Sequence, residues 1–170
     1  MQETRPQSRI PWPDAPPPFV VVADNIRSMH NVGAIFRTAD GAGFGGVVLC
    51  GITATPPRQE IRKAALGAED ALPWTYFQST LDALQWLRGQ GYFLLALEKT
   101  DSSQLIYRLS VRTPLAVIVG HEFHGIREEV LQQADAVAHL PMRGHKISLN
   151  VSVAFGVAAY ELSRRVLGNE

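Results

Sequence analysis

Three short stretches of this 170-residue chain combine residue types that can do chemistry. Residues 31–37 begin with Asn31 and end with Arg37, residues 120–125 hold Glu122 between two glycines, and Ser148 and Asn150 precede a long apolar run. An arginine can stabilise developing negative charge, and a carboxylate can hold hydrogen-bond donors in place. Taken singly, each stretch also fits a structural role: a snorkelling arginine, an exposed loop acid and a helix cap.

Two further patterns suggest binding sites but lack the right context. Residues 41–46, GAGFGG, match the dinucleotide-binding spacing of glycines, yet they follow a predicted helix and precede a predicted strand, the reverse of the required order. We interpret them as a helix end and a turn. His121 and His124 are three residues apart, whereas the zinc-binding helical pattern needs four, and no cysteine cluster supports His139 or His145 as further ligands. We therefore predict no metal site.

The elements that position these stretches alternate between strand and helix. Fully apolar runs such as FVVVA (residues 19–23) are typical of strands buried on both faces, and segments with helical periodicity separate them. This order predicts an α/β fold with a mostly parallel sheet sandwiched by helices. Ligands bind at the carboxyl ends of such strands, which here lead into residues 24–31, 120–125 and 141–150.

The last helix is predicted to begin at Ser148, with the Ser148 side chain as its cap. Ser148, Ser152 and Gly156 recur every four residues and predict a stripe of small side chains that allows another element to approach closely. Bulky substitutions at Ser152 or Gly156 should therefore disturb packing or dimerisation. Nearly all other positions up to Tyr160 are apolar, so this helix should be buried by its own sheet or by a second subunit.

Composition narrows the class of protein. The formal net charge is zero, which argues against nucleic-acid binding by bulk charge alone. The single cysteine, Cys50, lies in an apolar run and is expected to be a buried structural thiol in a reducing compartment. Residues 1–18 hold six of the eleven prolines, which predicts an extended, poorly ordered arm before a domain at residues 19–170. We found neither a signal peptide nor a membrane span in the sequence, and expect a cytoplasmic protein.

Together the three stretches resemble the SpoU-type (TrmH-like) RNA ribose methyltransferases of the SPOUT superfamily. The family motif N-x-G-x-I-x-R-x-A is matched by NVGAIFRTA at residues 31–39, and G-x-E-x-x-G is matched at residues 120–125. The third motif, P-M-x-G-x-x-x-S-L-N-V-S-x-A, is matched without a gap at residues 141–154. The resemblance covers about residues 19–165, with the motifs in the family's order.

The resemblance implies a C-terminal deep trefoil knot that forms a pocket for S-adenosylmethionine, and a homodimer with the donor site near the subunit interface. It implies that Arg37 is the catalytic arginine, that Asn31 and Glu122 support it, and that Ser148 and Asn150 border the donor. Residues along the knot that would contact the donor, several of them around its adenine, are Leu97, Gly120, Leu140, Met142, Ser148 and Leu149. Leu97 is assigned from strand order rather than from a motif.

RNA contact must come from local charge, because the chain as given lacks the extra RNA-binding domain of larger family members. Basic residues in or beside the three loops are the candidates: Arg27, His30, Arg143, His145 and Lys146. Arg58, Arg62 and Lys63 form a second basic run that fits a solvated surface equally well.

The resemblance therefore predicts transfer of a methyl group from S-adenosylmethionine to a ribose 2′-oxygen of structured RNA, tRNA or rRNA. Arg37 is expected to orient groups and stabilise charge rather than remove the proton, because a free guanidinium is too basic to be an easy general base. The alternatives are a SPOUT-fold RNA-binding or assembly factor without activity, an RNA base methyltransferase, and an α/β enzyme acting on a small molecule.

Overall fold

The structure is a computed structural model that describes residues 5–168. One sheet of seven strands occupies its centre, in the order β3-β2-β1-β6-β4-β7-β5, and each neighbouring pair is parallel. The strands are β1 (Phe19–Asp24), β2 (Val47–Cys50), β3 (Trp74–Phe77), β4 (Phe93–Leu97), β5 (Gln104–Leu105), β6 (Leu115–Val119) and β7 (Ala136–His139). The helices are α1 (Met29–Gly41), α2 (Gln59–Ala65), α3 (Ala68–Ala71), α4 (Thr80–Gly89), α5 (Glu128–Leu131) and α6 (Val151–Leu167), with a 3-10 turn at Ile106–Arg108.

Both faces of the sheet are buried, as the uniformly apolar strands predict. On β1, alternate residues point to opposite faces: Phe19 and Val21 pack with α1, α2, α3 and α6, whereas Val20 and Val22 pack with α4 and α5. Full burial of a side chain of this size contributes about 1.5–3 kcal/mol relative to leaving it exposed. The predicted α/β sandwich with a parallel sheet is confirmed.

Helix α1 begins after Ser28, whose side-chain oxygen accepts a hydrogen bond from the backbone N–H of Asn31 at 3.2 Å. The helix ends at Gly41, where the N–H of Ala42 donates to the carbonyl of Thr38, and Gly43 follows with φ +80°. A residue with a side chain rarely adopts that conformation. The glycine-rich stretch at residues 41–46 is therefore a helix end and a turn, as interpreted from the sequence.

The start of α6 differs from the sequence prediction. The helix begins at Val151 and its cap is Asn150, whose side-chain oxygen accepts from the N–H of Ser152 at 2.9 Å. Ser148 is exposed and precedes the helix, so Ser148 is not the cap and does not belong to the small-residue stripe. Serine and asparagine are both good caps, and the two candidate positions lie too close together for sequence alone to separate them.

Residues 5–18 form no helix or strand, and some of them contact the edge of the sheet. Gln7 forms an antiparallel bridge with Thr75 of β3, and the N–H of Ser8 donates to the carbonyl of Trp74 at 2.9 Å. The ring of Trp12 lies 5.1 Å from that of Trp86, centroid to centroid, in an edge-to-face arrangement. These contacts cover the edge strand β3. The first four residues of the predicted arm lie outside the described residues, and the division at residue 19 remains a prediction.

Two other sequence expectations concern single features of the fold. Cys50 is fully buried, and this burial, followed by the nearby Asp24 carboxylate, raises the pKa of its thiol. The thiol is thus inert, as expected for a structural cysteine. The sequence does not predict β5, because a strand of only two residues is too short to show an apolar or alternating pattern. Within residues 5–168, no helix is both long enough and apolar enough to cross a bilayer.

Candidate functional site

The loops after β1 and β6 are joined by the carboxylate of Glu122. One oxygen accepts hydrogen bonds from the backbone N–H of Ser28 and from the side-chain amide of Asn31, each at 3.0 Å. The other oxygen accepts from the backbone N–H of Arg27 at 3.0 Å. Three donors converge on one carboxylate, so Glu122 fixes the entry of α1 and the orientation of Asn31 rather than being a free loop acid.

The same contacts determine the charge state of Glu122. Partial burial acts to raise the pKa of the carboxyl group, but the hydrogen bonds from Ser28, Asn31 and Arg27 outweigh it. The net effect holds the pKa of Glu122 below its ordinary value. The group is therefore ionised at neutral pH and acts as a hydrogen-bond acceptor.

Asn31 extends this network to the start of α6. Its side-chain oxygen accepts a hydrogen bond from the Asn150 amide at 3.3 Å, while Asn31 itself is 6% exposed. The oxygen of Asn150 accepts from the backbone N–H and the hydroxyl of Ser152, at 2.9 and 2.7 Å. The structure thus brings one residue from each of the three sequence motifs into a single hydrogen-bonded chain, Glu122–Asn31–Asn150.

A cleft of about 780 Å³ lies beside this chain, between the loops that follow β4, β6 and β7. It has the size of many small-molecule and cofactor sites. Glu122 and Asn150 line it, and so do all six residues predicted to contact a methyl donor: Leu97, Gly120, Leu140, Met142, Ser148 and Leu149. Asn31 lies behind this lining, through its bonds to Glu122 and Asn150.

Several features of the cleft suit a ligand that is partly apolar and partly polar. Leucine and methionine side chains supply an apolar wall, and a Cβ atom on Gly120 would lie 2.6 Å from the Ile126 side chain, so only glycine fits there. The hydroxyl oxygen of Thr100 is buried and has no hydrogen-bond partner within residues 5–168. An unpartnered polar atom in the wall is available to a bound molecule.

Glu98 is a site residue that motif reasoning missed. It follows β4, and its carboxylate accepts hydrogen bonds from the backbone N–H of Ile126 at 2.9 Å and from its neighbour Lys99 at 3.2 Å. Its own N–H donates to the carbonyl of Ala138 on β7 at 2.9 Å. A Cβ atom on Gly125 would collide with the Glu98 carboxylate, so the second glycine of the G-x-E-x-x-G turn makes room for Glu98. The sequence signal that could have identified Glu98 is an acidic residue directly after an apolar strand.

A second polar group borders the cleft at His139, the last residue of β7. Its Nδ1 atom lies 2.8 Å from the hydroxyl of Ser103, and its Nε2 atom lies 3.3 Å from the Lys99 ammonium. Partial burial, followed by the positive charge of Lys99, lowers the pKa of His139. The imidazole is therefore neutral at neutral pH. Within residues 5–168 no three histidine, cysteine or acidic side chains are grouped to hold a metal ion.

Of the five residues predicted to be catalytic, Arg37 is the one that the structure of residues 5–168 places outside both the cleft and the hydrogen-bonded chain Glu122–Asn31–Asn150. It is exposed on α1 and does not line the cleft, and its guanidinium makes no hydrogen bond or ion pair with residues 5–168. It lies six positions after Asn31, which is about 9 Å along a helix. Its side of α1 borders α6, because a Cβ atom on Gly41, one turn later, would lie 2.8 Å from the Tyr160 hydroxyl.

The predicted RNA-contacting residues are all exposed: Arg27, His30, Arg143, His145 and Lys146. Of the second basic run, Arg62 lies 3.5 Å from both Glu69 and Asp70, which neutralise it in part. The surface beside the three loops therefore carries more uncompensated positive charge than the surface of α2.

Comparison with known protein families gives one match over most of the chain. The model described as the SpoU rRNA Methylase family matches residues 18–160. The matched segment contains all three sequence motifs and nearly the whole described fold.

Individual relatives point the same way. The 23S rRNA (guanosine-2′-O-)-methyltransferase RlmB of Pseudomonas putida is 34% identical over 149 residues, which make up 88% of this chain and 60% of the relative. The chain therefore spans about three fifths of the length of such curated relatives.

Solved structures share the fold. An AdoMet-bound rRNA methyltransferase from Sinorhizobium meliloti is 32% identical with a TM-score of 0.82, covering 89% of this chain and 57% of that one. A structure described as giving insights into 2-OH methylation of C/U34 on tRNA is 27% identical with a TM-score of 0.78, covering 89% of this chain and 97% of that one.

Proposed function

Because the chain belongs to the SpoU rRNA methylase family, we propose that it transfers a methyl group from S-adenosylmethionine to a ribose 2′-oxygen of tRNA or rRNA. The observation that carries the proposal is the hydrogen-bonded chain Glu122–Asn31–Asn150 at the edge of a cofactor-sized cleft. Relatives that carry out 2′-O-methylation, and a relative solved with AdoMet, support it.

The donor fits the cleft by its chemistry. S-adenosylmethionine, when bound, supplies an electrophilic methyl carbon attached to a sulfonium. Leu97, Leu140, Met142 and Leu149 would contact the apolar faces of the adenosine, and the Thr100 hydroxyl would bond to one of its polar atoms. The missing side chain at Gly120 lets residues 125–126 pack against the strand end that borders the cleft.

The hydrogen-bonded chain Glu122–Asn31–Asn150 would hold the ribose against the donor. Asn150 lines the cleft, and Glu122 fixes Asn31 behind it, so the amides are set before substrate arrives. The ribose oxygen would form its bond to the methyl carbon as the methyl–sulfur bond of the donor breaks, S-adenosylhomocysteine would leave, and the hydroxyl proton would pass to water. Negative charge develops on the ribose oxygen as that proton departs. The Arg37 guanidinium would stabilise that charge or orient a neighbouring phosphate.

Arg37 requires a second subunit to take this role, and we propose a homodimer. Three large side chains on α6 form an exposed stripe with helical spacing: Val153 is 51% exposed, Val157 41% and Tyr160 56%. Apolar stripes of this kind mark protein interfaces. The stripe borders the side of α1 that holds Arg37, so association through α6 would carry the Arg37 of one protomer toward the cleft of its partner.

Two further expectations belong to this proposal. The C-terminal segment is proposed to pass through the chain as the trefoil knot of this superfamily, and the likeness to solved SpoU methyltransferases supports it. The protein is proposed to act in the cytoplasm, where tRNA and rRNA are found.

The experiment is methyl transfer from labelled S-adenosylmethionine to RNA isolated from cells that lack this protein. The wild-type chain should label the RNA, and Arg37→Ala should lower turnover by about 100-fold or more while donor affinity stays within about twofold. Arg108→Ala, an exposed arginine outside the three loops, is the matched control and should behave as wild type.

Other outcomes would identify the competing functions. Donor binding without any labelled RNA would indicate an RNA-binding or assembly factor without activity. Label on a ring nitrogen would indicate a base methyltransferase. Turnover of Arg37→Ala near the wild-type rate would show that Arg37 is structural.

A further inference from the structure

The two most exposed large apolar side chains of residues 5–168 both line the cleft. Phe123 is 83% exposed and belongs to the loop after β6, and Ile147 is 87% exposed and belongs to the loop after β7. Single exposed apolar residues are common on protein surfaces, but here the two with the highest exposed fractions border the same cleft. Their placement points to a ligand that covers both.

Phe123 stands at the tip of a turn that is already fixed. The N–H of Gly125 donates to the carbonyl of His121 at 2.9 Å, and the N–H groups of Phe123 and His124 donate to His121 Nδ1 at 3.0 and 3.2 Å. The rings of His121 and His124 stack with centroids 4.7 Å apart. Since the backbone is held from both sides, covering the Phe123 ring costs little conformational entropy.

The charge around the two side chains favours a nucleic acid. Residues 140–150 contain Arg143, His145 and Lys146 and no acid. Residues 120–126 contain one acid, Glu122, whose carboxylate already accepts three hydrogen bonds. A second copy of this chain would bring like charges together here, whereas RNA offers phosphates to the basic residues and flat bases to the apolar ones.

We propose that Phe123 stacks on the base of the nucleotide whose ribose is methylated, and that Ile147 packs against that base from the opposite loop. The inference rests on the proposed function. Glu122, which fixes Asn31, is the residue directly before Phe123, so a ribose held beside Asn150 and Asn31 places its base next to the Phe123 turn. Stacking of this kind requires an unpaired or extruded base, which limits the substrate to loops, bulges and ends of RNA.

The test measures the KM for RNA and the donor affinity of Phe123 variants, with RNA from cells that lack the protein as the substrate. Phe123→Ala should raise the KM for RNA about 5- to 150-fold, the range that loss of one stacked base implies, with donor affinity unchanged. Phe123→Trp should restore most of that loss, whereas Phe123→Leu, apolar but not aromatic, should stay close to Phe123→Ala. Tyr107→Ala removes an aromatic ring that is 51% exposed outside the cleft and should leave the KM unchanged.

The possible failures are distinguishable. A Phe123→Ala variant that binds S-adenosylmethionine more weakly would place the ring in the donor pocket, and one that dissociates into monomers would place it in a subunit interface. A Phe123→Leu variant with the wild-type KM would exclude stacking. Each result overturns this inference while leaving the proposed reaction intact. Absence of methyl transfer to any RNA by the wild-type chain would instead overturn the proposed function together with the inference.

Discussion

At the scale of the residue, Glu122 connects structure to chemistry. Its carboxylate binds two backbone N–H groups before α1 and the Asn31 amide, so a single side chain holds two of the three motifs together. Removing a partner from such a charge-assisted network costs about 1.5–3 kcal/mol per hydrogen bond. Asn31 would then lose the orientation that lets it meet Asn150.

Glu122→Gln is expected to lower kcat by about 10- to 100-fold. The substitution replaces one of the two accepting oxygens by an amide nitrogen, which is itself a donor and would face the N–H donors of the loop before α1 or of Asn31. The lowered pKa of Glu122 adds a pH signature. The folded state holds the Glu122 carboxylate in its ionised form, and this contributes to the free energy of unfolding. The contribution is fully present above the ordinary pKa of 4.5 and is lost as the pH falls through the lowered pKa of the folded state.

Chemical denaturation of wild type and Glu122→Gln across this pH range measures the difference in unfolding free energy. It should be largest above pH 4.5 and shrink in more acidic solution. Glu129→Gln, in an exposed ion pair with Arg127, is the control and should show little difference at any pH. A constant difference between wild type and Glu122→Gln at all pH values would contradict the assigned role.

Motif residues could be predicted from the sequence, and the residues that hold them could not. Glu122, Asn31 and Asn150 were found because their spacing matches a family pattern, and the structure joins them. Glu98 has no spacing to a motif, since its partner Ile126 is 28 residues away in sequence and adjacent only in the fold. The same holds for Thr100 and His139, whose roles depend on which strand ends are neighbours.

At the scale of the element, α1 is held in place by its close approach to α2. A Cβ atom on Gly33 would collide with the carbonyl of Ile61 and would lie 2.8 Å from the Ala64 side chain. The glycine of the N-x-G motif is therefore explained by helix packing rather than by contact with substrate. Because α1 carries Asn31 and Arg37, a shift of this helix displaces both.

Gly33→Ala is expected to destabilise the protein by about 1–3 kcal/mol, because the added methyl group meets backbone that cannot move aside cheaply. Gly89→Ala, at the end of α4 with open space around it, adds the same methyl group and should be neutral or slightly stabilising. Thermal unfolding of both variants measures the contrast. Equal melting temperatures would show that α1 and α2 are not tightly packed at Gly33.

Element types could be predicted from apolar patterns, and element ends could not. The strand runs of β2 and β6, and of β1 up to Ala23, are apolar because both faces are buried. The start of α6 was placed at Ser148 because serine is a good cap, but Asn150 takes that position and also reaches Asn31. The contact between Trp12 and Trp86 on α4 could not be predicted either, because it joins residues that are 74 positions apart in the sequence.

At the scale of the whole molecule, the exposed stripe on α6 predicts the quaternary structure. Val157→Asp places a charge in the middle of the stripe and should convert a dimer into monomers, as measured by light scattering coupled to size-exclusion chromatography. Methyl transfer should fall with it, because Arg37 would no longer reach a partner's cleft.

Leu66→Asp is the control for this substitution. Leu66 is 65% exposed at the end of α2, away from the stripe, and its left-handed backbone, with φ +52°, accommodates aspartate. This variant should remain dimeric and active. A wild-type chain that is monomeric and active would exclude the dimer and the role given to Arg37.

Alkaline hydrolysis of RNA methylated with labelled S-adenosylmethionine distinguishes transfer to a ribose 2′-oxygen from transfer to a base. Alkali cleaves RNA only where a free 2′-hydroxyl can attack the adjacent phosphate. A methylated 2′-oxygen therefore protects one phosphodiester bond, and we expect the label in alkali-resistant dinucleotides. Label recovered in mononucleotides would mean that the methyl group lies on a base and that the protein is not a ribose 2′-O-methyltransferase.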